Sequence, residues 1–76
     1  MFDEGRGVVQ DHVEAVRLYR LAAAQGNAQA QNNLGEMFED GLGVVQDRAE
    51  AIRLFRLAAA QGLPDASAAL NRLGAA

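Results

Sequence analysis

Gly5-Arg6-Gly7-Val8-Val9-Gln10-Asp11 returns thirty-six residues later as Gly41-Leu42-Gly43-Val44-Val45-Gln46-Asp47. The same offset carries Met1-Phe2 onto Met37-Phe38. It also carries Arg20-Leu21-Ala22-Ala23-Ala24-Gln25-Gly26 onto Arg56-Leu57-Ala58-Ala59-Ala60-Gln61-Gly62. A period in this range marks a stacked helical array, in which each unit buries its apolar face against its neighbours. Stacked units build extended surfaces and seldom carry chemistry by themselves, so the duplication turns the functional question toward binding.

Outward from the duplicated stretch, helices follow. Ala15, Leu18, Tyr19, Ala22, Ala23 and Gly26 recur at the three-and-four spacing of one helix face. Asp11 stands at an N-cap position with Glu14 three residues on, a capping-box pattern, and Gly26 supplies a left-handed terminator. These signals predict a helix over about 12–25, and Asp47, Glu50 and Gly62 predict its twin over about 48–61. Between them, Asn27 caps a helix over 27–40 whose stripe is Ala30, Leu34, Met37 and Phe38, with Gly41 as its stop. Gly35 lies inside that helix at a propensity cost of about 1 kcal/mol, which points to close packing. A last helix over 64–73 begins at Pro64, a favourable first helical residue. There the pattern degrades: Gly35 becomes Asn71, Met37 becomes Leu73 and Phe38 becomes Gly74. Tyr19, Phe55, Phe2 and Phe38 read as core anchors. The short turns after Gly26 and Gly62 make antiparallel neighbours, while Gly41–Gln46 is a longer loop with a valine to fill the gap between helices. Gly5-x-Gly7 reads as its first-copy equivalent. The expected fold is all-α, with antiparallel helix-turn-helix repeats.

Composition narrows the function. The chain has seventy-six residues, one histidine and no cysteine, which excludes disulfide staples and thiolate metal sites. A net charge of −3 with interspersed arginines gives no basic face for nucleic acid or an anionic membrane. No apolar run approaches a membrane span, and no signal peptide is evident, so no compartment follows. The paired Gly-x-Gly segments follow helices rather than strands, which argues against phosphate loops. His12 beside Asp11 and Glu14 is replaced by Arg48 in the second copy, so it reads as an exposed first-turn residue rather than a catalytic group. Ser67 is the only serine, the sequence has no threonine, and no histidine lies near Ser67 in the chain. The chain is read as a non-enzyme with no cofactor and no metal.

Ala30-x-x-x-Leu34-Gly35-x-Met37-Phe38-x-x-Gly41-x-Gly43-Val44-x-Gln46-Asp47, followed by Ala51-x-x-Leu54-Phe55-x-x-Ala58-Ala59-x-x-Gly62, resembles the Sel-1-like repeat, a relative of the tetratricopeptide repeat. Leu18-Tyr19 and Leu54-Phe55 stand where that family often has Trp-Tyr. The resemblance covers nearly the whole chain and implies a right-handed superhelical stack. It also implies an adaptor role, with a polypeptide held in a concave groove. A single domain of about two repeats, 1–36 and 37–72, is expected, and it starts mid-repeat: the helix bearing Leu-Gly is represented in the first copy only by Met1-Phe2.

In related superhelices the first helix of each pair lines the groove. Carried onto this sequence, that places Gln29, Asn32, Glu36 and Glu39, with Asp40, on the binding face, joined by Asp65 and Arg72 on the last helix. Glu36, Glu39 and Asp40 otherwise read as a solvated acidic face or a weak metal site. Arg17, Arg20, Arg53 and Arg56 line the outer face of the helices over 12–25 and 48–61, with Glu14 and Glu50 three residues before Arg17 and Arg53 to pair with them. The alternative function is self-assembly. Arrays generally need about three repeats, so the apolar face of 12–25 calls for a second copy, by swapping or end-to-end stacking, or for the rest of a longer array.

Overall fold

A computed structural model describes the backbone of residues 4–75 and the side chains of residues 11–75. Among the described residues the chain is all helical: α1 (Glu4–Ala24), α2 (Ala28–Asp40), α3 (Arg48–Ala60) and α4 (Pro64–Arg72). Each helix packs on the next in the sequence, and each pair is antiparallel. Gln31, early in α2, reaches the carbonyl of Ala23 at the end of α1. Asp47 N donates to the Phe38 carbonyl where α2 ends and α3 begins. Arg48, opening α3, donates to the Leu73 carbonyl beyond α4 at 2.7 Å.

Two turns follow one design, as the repeat requires. Asn27 N donates to Ala22 O and Gly26 N to Ala23 O; Leu63 N donates to Ala58 O and Gly62 N to Ala59 O. This is the Schellman closure, which needs a left-handed residue, and Gly26 and Gly62 supply it at φ of 89° and 91°. Asn27 caps α2 by accepting from Ala30 N at 2.8 Å, and Gly41 ends it in the left-handed region. Asp47 caps α3 by accepting from Glu50 N at 3.1 Å. The reciprocal half of the expected capping box does not form. Asp47 N is taken by Phe38 O, and the Glu50 carboxylate turns to Arg53.

The core is one cluster in which Val16 of α1 meets Leu34 and Phe38 of α2, Ala51, Leu54, Phe55 and Ala58 of α3, and Ala66, Ala69 and Leu70 of α4. Tyr19 packs against its edge, while the side chain of Phe2 lies outside the described residues. The glycine inside α2 has its explanation here. A Cβ on Gly35 would lie 2.8 Å from Cε1 of Phe55, a ring with no exposed surface. Val44 packs against the core from the long loop, whereas Val45 is 86% exposed.

The first copy departs from expectation. α1 is continuous from Glu4, so Gly5-x-Gly7 is helical rather than a loop, and Asp11 lies within the helix instead of capping it. The physical difference is tertiary. In the second copy the loop is held from outside its own sequence: Gln46 Nε2 donates to Glu39 O at 2.7 Å, and Gly43 sits against the backbone of His12. The first-copy equivalents of Phe38 and Glu39 are Phe2 and Asp3, which lie outside the described residues. With helix already formed, each further turn is cheaper to add than to nucleate, and α1 runs on through both glycines. His12 accordingly lies mid-helix and half-buried under the Gly43 loop, not exposed in a first turn.

A candidate protein-binding face on α2 and α4

The side of α2 turned away from α1 and α3 meets α4 across a shallow groove of about 350 Å³, lined by Glu36, Asp65, Ala68, Ala69 and Arg72. Glu36, Asp65 and Arg72 were all expected on the binding face from the sequence. α2 and α4 occupy the same position in successive repeats, so side chains at matching register converge. The small residues Ala68 and Ala69 keep the floor open, and neither was anticipated, because alanines in a helix read simply as packing.

One end of the groove is clamped. Arg72 forks onto Glu39, with Nη2 donating to Oε1 at 3.1 Å and Nη1 to Oε2. The hydrogen bond from Arg72 is the main reason that the Glu39 carboxyl is held below its ordinary range; burial opposes it, and the charges of Arg72 and Arg48 add lesser help. Glu39 is thus committed to bridging the helices rather than facing a ligand. Glu36 and Asp65 are exposed, and together with Glu39 they leave the groove with more carboxylates than its single guanidinium balances. Asp40 is exposed one residue beyond the clamp.

The remaining expected residues fall elsewhere. Gln29 is exposed and donates to Asn33 Oδ1 one turn along α2 at 3.1 Å, outside the groove lining. Asn32 is 2% exposed and sits beneath the surface, with Oδ1 lacking a hydrogen-bond partner. The helix buries a broader arc than the four-residue stripe suggested, because α2 is flanked by α1 and α3. Gln31 is buried for the same reason, and it joins Gln61, whose Nε2 donates to Gln31 Oε1 at 3.0 Å and to Gly26 O at 2.9 Å. The expected arginine pairs are present: Arg53 Nε donates to Glu50 at 3.0 Å and Arg17 Nε to Glu14 at 3.2 Å.

Among the described residues, no three His, Asp or Glu side chains gather as a metal cage, and no helix is long and apolar enough to cross a membrane. Neither the curated proteins nor the solved structures include a significant match to this sequence. A family comparison does: the Sel1 repeat matches residues 1–27 and 28–63, the second span taking in α2, the long loop and α3 as one unit. With an all-helical repeat fold and matches over most of its length, the chain belongs to the Sel1 repeat family, whose repeats are non-catalytic modules of protein–protein interaction.

Proposed function

We propose that the α2/α4 face binds a polypeptide segment carrying basic residues. The reading is carried by the groove itself: Glu36, Asp65 and Arg72 line one depression between equivalent helices, with Glu39 holding Arg72 from the side. Excess negative charge over a floor of alanines favours an extended segment whose arginine or lysine meets Glu36 and Asp65. The guanidinium of Arg72 is available to its backbone carbonyls. Asn32 contributes from below by fixing packing rather than by contact.

The test is a titration of the chain with the acetylated, amidated peptide Ala-Arg-Ala-Lys-Ala and its glutamine counterpart Ala-Gln-Ala-Gln-Ala. The Glu36→Gln/Asp65→Asn double variant should weaken the basic peptide about tenfold, the value of about 1.4 kcal/mol of lost charge pairing, and leave the neutral one unchanged. Equal binding of both peptides, or no effect of the double variant, overturns the assignment. An exposed position supports a second reading, self-assembly through α1: Leu18 is 51% exposed, whereas its repeat equivalent Leu54 is 3% exposed. Val13 and Leu21 are more than half exposed on the same helix. Leu18→Glu should then reduce the mass measured by light scattering after gel filtration. A wild-type chain that is already monomeric at micromolar concentration rules this reading out.

A further inference from the structure

A second cleft lies on the other side of α2. Leu34 and Glu36 are two residues apart, so they point roughly 200° away from one another around the helix. Glu36 faces the α2/α4 groove, and Leu34 floors a cavity of about 300 Å³ between α1 and α3. That volume is at the lower end of the range for sites that take a discrete ligand group. Leu34 and Leu54 are buried at its base, and Leu57 remains 43% exposed on its wall.

Its polar lining is unequal at the two ends. At one end Gln31 is satisfied within the chain: its Nε2 donates to Ala23 O at 3.4 Å, and its Oε1 accepts from Gln61. Elsewhere on the rim Arg53 and Glu50 neutralise each other. Arg20 is different. Its guanidinium carbon stands 5.5 Å from the centroid of the Phe38 ring, a cation–π contact that positions the group. Among the described residues it makes no direct ion pair with a carboxylate, although its charge adds to the hydrogen bond and charge of Arg53 in holding the Glu50 carboxyl below its ordinary range. Two arginines against one glutamate leave the lining with a net positive charge, in a chain whose net charge is −3. An exposed leucine and a positioned arginine lining one cleft are a match for a segment that carries an apolar side chain and an acid.

We propose that the α1/α3 cleft takes a leucine-type side chain of a partner polypeptide, with the carboxylate of an adjacent aspartate or glutamate on Arg20. The leucine packs on Leu34, Leu54 and Leu57, and the carboxylate completes a charge pair for which the Arg20 guanidinium is already placed. This site does not depend on the α2/α4 groove. Its ligand has the opposite charge, so the two faces accept different segments.

Acetyl-Gly-Leu-Leu-Asp-Gly-amide and its asparagine counterpart, titrated into the isotope-labelled chain and followed by amide and arginine side-chain NMR shifts, test the proposal. The aspartate peptide should bind saturably, with Kd of about 1 mM or tighter, and the shifts should centre on Arg20, Leu34 and Leu57. Arg20→Gln should weaken it at least fivefold and leave the asparagine peptide unaffected, while Leu57→Glu should abolish both. Arg20 is exposed, so its variant keeps the fold, and that arm decides alone if Leu57→Glu fails to fold. Equal binding of the two peptides, shifts confined to the α2/α4 face, or no saturable response overturns the proposal. So does a dimer that Leu57→Glu converts to monomer without any peptide response, because the cleft would then be covered by a second copy.

Discussion

Alanine at Gly43 and alanine at Gly7 should move stability in opposite directions, although the two glycines hold the same repeat position. At Gly43 φ is +73°, and an added Cβ would lie 2.6 Å from the carbonyl carbon and oxygen of His12 and 2.9 Å from the amide nitrogen of Val13. The left-handed conformation costs a non-glycine residue about 1–2 kcal/mol. The atoms met are helix backbone, which cannot rotate aside as a side chain does, so overpacking adds about 1–3 kcal/mol. About 3 kcal/mol of destabilisation is expected for Gly43→Ala. Gly7 lies inside α1, where alanine is favoured over glycine by about 1 kcal/mol. In a domain of this size each kcal/mol moves Tm by about 4–8 °C. Thermal and urea unfolding followed by circular dichroism should therefore show Gly43→Ala losing more than about 10 °C, or failing to fold, and Gly7→Ala gaining about 4 °C. If Gly7→Ala destabilises as Gly43→Ala does, the first copy forms the same loop as the second and the continuous α1 is refuted. If Gly43→Ala is neutral, the loop does not rest on α1.

Gly35→Ala should cost about 1 kcal/mol net in urea unfolding, because overpacking of about 1–3 kcal/mol against the buried Phe55 ring exceeds the helix-propensity gain. The double variant with Phe55→Leu should lose less than the sum of the two single variants. Asp47→Ala removes the α3 cap and should cost about 1 kcal/mol. Asp11→Ala, at the equivalent repeat position but inside α1, should stay within about 0.5 kcal/mol of wild type in the same assay. Glu39 titrates below the ordinary glutamate range when folded, chiefly through its hydrogen bond from Arg72. Its stabilising contribution is therefore fully present above the unfolded carboxylate range and is lost as pH falls through the folded value. Urea midpoints measured from neutral pH down into the acid range should fall less steeply in Arg72→Gln than in wild type.

The period, the caps at Asn27 and Asp47, the glycine stops and the close packing at Gly35 were legible because each is set by local geometry or residue size; that the Phe55 ring is what packs there was not. The start of α1 was not. The same letters, Gly-x-Gly-Val-Val-Gln-Asp, form a loop where Phe38 and Glu39 offer carbonyls to Asp47 and Gln46, and a helix in the first copy. Local sequence cannot decide between them. The α2/α4 groove was legible in part: repeat register put Glu36, Asp65 and Arg72 together. It could not reveal that α2 is enclosed on two sides, which buries Asn32, nor that Arg72 would be tied to Glu39. The α1/α3 cleft draws its lining from three successive helices, between Arg20 and Leu57, so no single stretch announces it.

The two ends of the stack are unequal, and that bears on how copies could associate. For α4 to receive another chain's α1 as α2 receives α3, position 71 would stand where Gly35 stands and Tyr19 where Phe55 stands. Any Cβ at that position falls 2.8 Å from the ring, and Asn71 carries one. The anchor is missing too: α4 ends at Arg72, and the residue matching Phe38 is Gly74, in the left-handed region at φ 73°. Head-to-tail growth, which would propagate without closing, is therefore opposed twice. The exposed Val13, Leu18 and Leu21 remain on α1, and a face that meets the same face of a second copy closes as a twofold dimer. If the chain self-associates, light scattering should reach a plateau at twice the chain mass, and Leu18→Glu should return it to a single chain. A mass that keeps rising with concentration would mean that Asn71 and Gly74 do not stop the array.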